Sequence, residues 1–124
     1  MKSISTNQAP AAIGPYSQGI VTGNLLFISG QLPINPETGK MVESNICDKT
    51  HQILKNCEAI AKEAGANLAM VVKTTIFLTD LADFQEVNKA YGAHFPNNPP
   101  ARSTVQVAAL PLGSNIEIEF ILAI

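Results

Sequence analysis

The sequence predicts a single α+β domain over residues 1–124, in which two helices cover one face of a β-sheet. Three observations predict this class. The chain has 124 residues, 46% of them hydrophobic, which is enough for one core and too little for two. Short β-branched and apolar runs alternate with two segments of helical periodicity. Their order along the chain is β, β, a short β, α, β, α, β, β.

The N-terminal third predicts an irregular segment followed by a hairpin. Residues 4–16 are rich in Ala, Pro, Ser, Asn and Gly, which favours irregular structure. Residues 18–21 and 25–29 are apolar runs, and the tripeptide at 22–24 contains a glycine suited to positive φ. Residues 35–39 (NPETG) predict a tight turn.

Two segments have the apolar spacing of amphipathic helices. The first spans residues 48–64, with Asp48 as the predicted N-cap and Gly65 as the predicted C-cap. The second begins after Asp80, whose carboxylate is suited to capping, and has Asp83 as an acidic N3 residue. The apolar faces are Ile53, Leu54, Cys57, Ile60, Ala61 and Ala64 in the first helix and Phe84, Val87 and Tyr91 in the second.

Three further strands complete the sheet. In residues 69–79, the side chains on both faces of the predicted strand are largely apolar, which is typical of a central strand. Residues 95–100 contain three prolines and predict a loop before the strand at 102–107. A last strand at 116–122 places Ile116 and its alternate neighbours on one side, and Glu117, Glu119 and Ile121 on the other. The face away from the helices is therefore partly apolar, and we expect a homo-oligomer to cover it.

The charges and cysteines narrow the function. Ten acidic residues, seven lysines and one arginine give a net charge of −2, so no basic patch favours nucleic acid or an anionic membrane. The first 25 residues contain no apolar run of signal-peptide length, and we expect a cytoplasmic protein with Cys47 and Cys57 as free thiols. His51 and His94 are not paired at ligand spacing with each other or with a cysteine, so no metal site is expected.

The single arginine, Arg102, is the first candidate for chemistry. It shares one side of its strand with Thr104. If this strand neighboured the last one, the guanidinium could converge with Glu117 or Glu119, and the spacing alone does not separate the two carboxylates. A guanidinium grips a ligand carboxylate with two parallel hydrogen bonds. The alternative is an Arg–Glu ion pair on a solvated face.

Three other positions could line a pocket. Tyr16 follows Gly14-Pro15 in the irregular segment and would form a pocket wall, or pack as a half-buried tyrosine. Ser29 and Gly30 end a strand, where glycine allows a ligand close to the backbone or marks a bulge. Phe84 and Asn88 are four residues apart on the second helix and face one partner, unless Asn88 is only solvated.

Several blocks in this order resemble the RidA family, also called YjgF or L-PSP endoribonuclease. The resemblance covers essentially the whole chain. It rests on AAIGPYSQG (11–19), FISGQLPINPETG (27–39), VVKTTIFLTDLADFQEVN (71–88), PARSTVQVAALP (100–111) and IEIEFI (116–121).

The resemblance implies a chorismate-mutase-like α+β fold with a mixed six-stranded sheet, assembled as a homotrimer around a central barrel. Ligand sites would lie in clefts between subunits. It also implies hydrolysis of reactive 2-imino acids and their enamine tautomers to 2-keto acids and ammonia, without a cofactor or metal.

Carried over by motif, the resemblance implies that Arg102 holds the substrate carboxylate and that Glu119 orients or activates the attacking water. Tyr16 would pack over the substrate from the adjacent subunit, and Ser29 and Gly30 would line the site. Phe84 and Asn88 would add to the same wall, and Thr104 stands where the family often has cysteine. Two alternatives are a regulatory trimer that binds a small carboxylate without catalysis and the ribonuclease or translation-inhibitor role in the family's older name.

Overall fold

The computed structural model describes residues 1–124 and contains a mixed six-stranded sheet with both helices on one face. Neither helix combines the length and apolar character needed to cross a bilayer. The strands are β1 (Lys2–Ile4), β2 (Gly19–Thr22), β3 (Leu25–Gln31), β4 (Ile34–Asn35), β5 (Lys40–Met41), β6 (Val71–Leu78), β7 (Ala101–Gln106) and β8 (Ile116–Ala123), and the helices are α1 (Ile46–Glu63) and α2 (Phe84–Gly92).

The sheet order is β1-β2-β3-β8-β6-β7, and β4 and β5 form a separate small hairpin. Only β6 and β7 pair in parallel, and α2 makes the connection between them. The predicted hairpin is confirmed as β2 and β3, with Gly23 at φ +56° in its turn. The predicted turn at 35–39 is confirmed as the connection between β4 and β5.

The core lies between the helices and one face of the sheet. The predicted apolar face of α1 is buried, including Cys57, whose thiol is free, except that Ala64 at the end of the helix is half-buried. The alternate residues of β8 that the pattern assigned to one side are all buried beneath the helices. The largest fully buried side chains on the sheet and helices are Leu26, Ile53, Leu54, Ile60, Ile76, Leu78, Ile116, Ile118, Phe120 and Leu122.

The predicted caps of α1 are partly wrong. The helix begins two residues earlier than predicted, because Asn45 is the N-cap and its side-chain oxygen accepts a hydrogen bond from the backbone N–H of Asp48 at 2.8 Å. Asp48 is therefore the N3 residue rather than the cap. Ala64 is the C-cap, and Gly65 follows it at φ +76°, the left-handed conformation expected of a glycine at the helix end.

The second predicted cap also differs in detail. Asp80 caps a short 3-10 turn, Leu81–Asp83, by accepting a hydrogen bond from the N–H of Ala82 at 2.9 Å. This turn leads directly into α2. A 3-10 turn, Leu68–Met70, likewise replaces the first residues of the predicted strand at 69–79.

The N-terminal segment is irregular as predicted, except that Lys2–Ile4 forms an edge strand paired with β2. Gln18, which is buried, ties the segment to the domain. Its side-chain oxygen accepts from the N–H of Thr6 at 2.7 Å, and its side-chain nitrogen donates to the carbonyls of Thr6 and Pro10. These bonds anchor both sides of the loop that carries Tyr16.

The two histidines meet in the fold, although their sequence spacing indicated no pairing. His51 on α1 and His94 just after α2 share a hydrogen bond of 2.8 Å between Nδ1 and Nε2. Burial is the main cause that lowers the pKa of His94 below 6.5, and the neighbouring His51 lowers it further, while Glu58 opposes the shift. No group of three potential metal-ligating His, Cys, Asp or Glu side chains forms in the chain.

We predict that this pair makes the protein less stable in acid. Because the folded-state pKa of His94 lies below its unfolded value, the unfolded chain binds the proton more readily. The stabilisation is complete above pH 6.5 and is lost as the pH falls from there through the folded-state pKa. The loss of urea midpoint between about pH 8 and about pH 5 should be smaller in His94→Gln than in the wild type. Equal losses would contradict this role for the pair.

Candidate active site

A β-bulge opens the sheet beside Glu119. Ile28 pairs with Phe120 and Gln31 pairs with Ile118, so that two residues of β3, Ser29 and Gly30, stand opposite a single residue of β8. The alternative that Gly30 marks a β-bulge is therefore confirmed. The bulge interrupts the regular pairing of β3 with β8 next to the Glu119 carboxylate. This carboxylate lies on the face of the sheet that the helices leave open.

The open face carries a cleft of about 710 Å³, which we call the glutamate cleft, and which includes Tyr16, Ser29, Gly30, Glu117 and Glu119. Four residues predicted to line a site thus come from three separate parts of the chain to one place: Tyr16 from the anchored N-terminal loop, Ser29 and Gly30 from the bulge, and Glu119 from β8. Glu117, the other carboxylate of β8, lies beside them. Its walls are largely apolar, with Pro10, Ile13, Ile34, Pro111 and Leu112 beside the polar groups.

The two carboxylates in this cleft have different surroundings. Glu117 is half-buried, and its burial, assisted by the negative charge of Glu119, raises the pKa of the Glu117 carboxyl above its usual value. Glu119 is exposed. The side chain of Glu117 occupies the space that glycine leaves, since a Cβ built on Gly30 would lie 2.7 Å from its carboxyl carbon and from Oε2. Gly30 is therefore required by the position of Glu117.

Tyr16 and Ser29 use their hydroxyls differently. The Tyr16 side chain is 52% exposed, and its hydroxyl accepts a long hydrogen bond of 3.4 Å from the N–H of Ile13. Gly14, at φ +122°, makes the turn that brings the ring over the loop. The Ser29 hydroxyl donates to the carbonyl of Ser17 at 2.6 Å, so it holds the N-terminal loop against β3.

A second site, the arginine pocket, surrounds Arg102 under the helices. It has a volume of about 470 Å³ and includes Asn88, Tyr91, Phe95, Pro100 and Arg102. Nη1 of Arg102 donates to Oδ1 of Asn88 at 2.6 Å, which is the one hydrogen bond that this side chain makes within the chain. The shared face predicted for Phe84 and Asn88 is confirmed, because the guanidinium carbon lies 5.4 Å from the centre of the Phe84 ring.

The condition under which Arg102 could converge with Glu117 or Glu119 within one chain is not met. Strand β6 lies between β7 and β8, so the two strands are not neighbours. Arg102 pairs with Thr74, which is fully buried under the helices, whereas Glu119 pairs with Thr75 on the open face. The alternative of an Arg–Glu ion pair is wrong, since the guanidinium bonds an amide. One chain holds the predicted site as two halves on opposite faces of its sheet.

Thr104 belongs to the arginine half. It pairs with the buried Ile76, two residues beyond Arg102 on the same face of β7. Its hydroxyl oxygen is buried and makes no hydrogen bond within the chain. A buried hydroxyl without a partner costs about 1–3 kcal/mol, so this group is expected to gain a partner when the site is complete.

Sequence reasoning missed several residues of these sites, among them Tyr91 and Leu112. Tyr91 was assigned only to the apolar stripe of α2, yet its ring centre lies 5.2 Å from the guanidinium carbon of Arg102. Leu112 lines the glutamate cleft, is 76% exposed and is the one non-glycine residue with positive φ, at 58°. Its signal was the Pro-Leu-Gly turn, whose backbone conformation a sequence pattern does not specify.

Comparison with known proteins gives the family. The family model described as Endoribonuclease L-PSP matches residues 6–124. Reactive Intermediate Deaminase A, a chloroplastic protein of Arabidopsis thaliana, is 58% identical over 95% of this chain, which spans 63% of that protein. The human 2-iminobutanoate/2-iminopropanoate deaminase is 48% identical over 94% of this chain and 85% of its own. The crystal structure of E. coli TdcF with bound serine superposes with a TM-score of 0.95 at 41% identity, covering 100% of this chain and 99% of that one.

The sheet topology and the two clefts define the class, a small α+β domain with pockets of small-molecule size. The matches, which extend over nearly the whole chain, then identify the family. The chain belongs to the RidA family, also described as the L-PSP endoribonuclease family. The resemblance drawn from the sequence blocks is confirmed.

We predict that Gly30→Ala moves the Glu117 carboxylate without unfolding the protein. The new methyl group would overlap the flexible end of the Glu117 side chain, which can swing toward solvent. Its pKa, measured by carboxyl ¹³C titration, should fall toward the ordinary glutamate value because the burial that raises it is lost. Gly92→Ala is the matched control, since nothing lies within 4 Å of its Cβ. An unchanged pKa in Gly30→Ala would contradict the contact.

Proposed function

We propose that this protein hydrolyses reactive 2-imino acids to 2-keto acids and ammonia. The relatives from Arabidopsis thaliana and human carry deaminase names, and the human one names 2-iminobutanoate and 2-iminopropanoate. The observation that supports the same chemistry here is a lone guanidinium, Arg102, which lies in a pocket without a carboxylate partner. Small 2-imino acids carry one carboxylate and match such a group.

Arg102 is suited to hold the substrate carboxylate. One side of the guanidinium is fixed by the rings of Phe84 and Tyr91 and by the Asn88 amide. The remaining N–H groups of Arg102 make no hydrogen bond within the chain. A planar fork with free donors binds a carboxylate through two parallel hydrogen bonds, which a lysine cannot do. The unpaired hydroxyl of Thr104, on the same face, would donate to the substrate or to the protein surface that closes the site.

The complete site requires a second subunit. Since the arginine pocket and the glutamate cleft lie on opposite faces of one sheet, Arg102 of one subunit would face Glu119 of the next. An interface that joins two different surfaces generates a ring when its rotation closes, and the family resemblance implies a ring of three subunits. The open face supports such contacts, because Phe27 and Val105 are each 41% exposed there. Tyr16 would then cover the substrate from the subunit that supplies Glu119.

The reaction needs little from the protein beyond position. Water adds its oxygen to carbon 2 of the protonated imine, and the C–N bond then breaks as the carbonyl forms and ammonia leaves. Glu119, the exposed carboxylate of the cleft, would take one proton from the water and pass it to the nitrogen. It would then take the proton of the added hydroxyl as the C–N bond breaks, and release that proton to the ammonia or to solvent. Holding the carboxylate and the water at reacting distance supplies much of the rate. Independence from cofactors stays a prediction.

The other roles in the family's naming receive less support. The family model carries the description endoribonuclease, but a net charge of −2 and a single arginine provide no track for a phosphate backbone. RNA cleavage that survives nuclease removal and depends on Arg102 would reverse this judgement. A cytoplasmic location also stays a prediction, and the Arabidopsis thaliana relative is named chloroplastic.

We predict that Arg102→Lys lowers kcat/KM for 2-iminobutanoate at least about a hundredfold, because a point charge cannot reproduce the two-bond fork. The substrate can be generated in place by a threonine dehydratase and trapped with semicarbazide, so that accelerated hydrolysis appears as loss of trapped product.

Lys89→Arg, an exposed exchange of the same two residue types on α2, is the control and should leave the rate unchanged. Full activity in Arg102→Lys would remove the carboxylate-holding role. If the wild type adds nothing to spontaneous hydrolysis yet binds 2-oxobutanoate through Arg102, the protein is a carboxylate-binding module rather than an enzyme.

A further inference from the structure

A buried pair of hydroxyls lies behind the arginine pocket and plays no part in the chemistry proposed above. Thr74 on β6 is fully buried, and Tyr91 on α2 is 4% exposed. Their hydroxyl oxygens share a hydrogen bond of 2.8 Å. It is a side-chain bond that joins α2 to the centre of the sheet, and it ends on the ring that contacts Arg102.

Tyr91 is in contact with groups on several sides. Arg102 lies over its ring at 5.2 Å, and Phe95 packs against it at 4.8 Å between ring centres with a tilt of 47°. Its hydroxyl is held at the far end by Thr74. Burial raises the pKa of the Tyr91 phenol, whereas the Thr74 hydrogen bond and the Arg102 charge lower it. The ring therefore interacts with the guanidinium at its face and with the sheet at its tip.

We propose that Thr74 is a positioning residue for Arg102, acting through Tyr91. The Thr74 hydroxyl fixes the tip of the tyrosine, the tyrosine ring fixes the plane of the guanidinium, and Asn88 fixes its rotation within that plane. The free edge of the fork is then held toward the position of the substrate carboxylate. This inference rests on the proposed function for its catalytic consequence, but the order of the arginine itself does not depend on it.

Packing alone does not account for the pair. A valine at position 74 would fill the same space as threonine and leave the buried phenol without a partner. A phenol in that condition moves toward another acceptor, because an unpaired buried hydroxyl is costly. The guanidinium would lose its fixed surface, whereas serine at the same position would keep the hydrogen bond. Thr74→Val and Thr74→Ser therefore separate the bond from the packing.

The lone arginine makes the test direct. With one arginine in the chain, the side-chain Nε–Hε signal in a ¹⁵N spectrum of the full-length protein belongs to Arg102 without assignment. We expect a rigid heteronuclear NOE in the wild type and in Thr74→Ser, and a reduced value in Thr74→Val and Tyr91→Phe. Thr50→Val is the matched control. Thr50 is also fully buried, but its hydroxyl donates a hydrogen bond to the backbone carbonyl of Ile46 within α1.

Kinetics give the second readout. Thr74→Val should raise KM for 2-iminobutanoate about tenfold and change kcat less, since it disturbs the arginine half and leaves the glutamate cleft intact. Thr74→Val and Tyr91→Phe each remove the same hydrogen bond between the two side chains. The double variant should therefore match either single variant.

The outcomes separate this inference from the proposed function. An unchanged Arg102 NOE in Thr74→Val, or an equal loss in Thr50→Val, overturns the positioning role whatever the enzyme activity. A wild type that lacks imine hydrolysis but shows the expected NOE changes overturns the proposed function and leaves the positioning role supported. A fall in the NOE together with a raised KM in Thr74→Val, restored by Thr74→Ser, supports both.

Discussion

The alternation of side chains across a β-sheet determines how this molecule can work. Arg102 lies in register with Thr74 beneath the helices, whereas Glu119 lies in register with Thr75 on the opposite face. With β6 also standing between their strands, no rotamer brings the two groups together in one chain. The sheet therefore holds the two candidate groups of one chain in two separate places. Under the proposed function, oligomerisation is therefore a requirement of the chemistry as well as a means of covering apolar surface.

The fold supports each half with a different device. On the helix side, α2 connects the parallel strands β6 and β7, and it presents Phe84, Asn88 and Tyr91 to the guanidinium. On the open side, the bulge places Gly30 where the absence of a side chain leaves room for the Glu117 carboxylate, beside Glu119. The contacts on the helix side hold the guanidinium in position before a ligand arrives, which reduces the reorganisation that binding requires.

Local patterns in the sequence predicted the elements well, because hydrophobic periodicity and turn residues act over a few positions. The helices, the β2–β3 hairpin and the proline loop follow from such signals. The pairing of His51 with His94 and the bond between Thr74 and Tyr91 join residues 43 and 17 positions apart, and no local pattern carries that information. Whether Arg102 and Glu119 lie on neighbouring strands stayed open for the same reason, since it depends on strand order. The family blocks supplied the site residues, but not their division between two faces.

The most direct test of a site shared between subunits is complementation between two inactive variants. Arg102→Ala and Glu119→Gln should each be inactive alone. When the two are co-expressed and native mass spectrometry confirms mixed assemblies, about a quarter of the wild-type imine hydrolysis should return, because a site can draw its arginine and its glutamate from different subunits. Mixed assemblies without restored activity would contradict the account, since they would place both groups of each working site on the same chain.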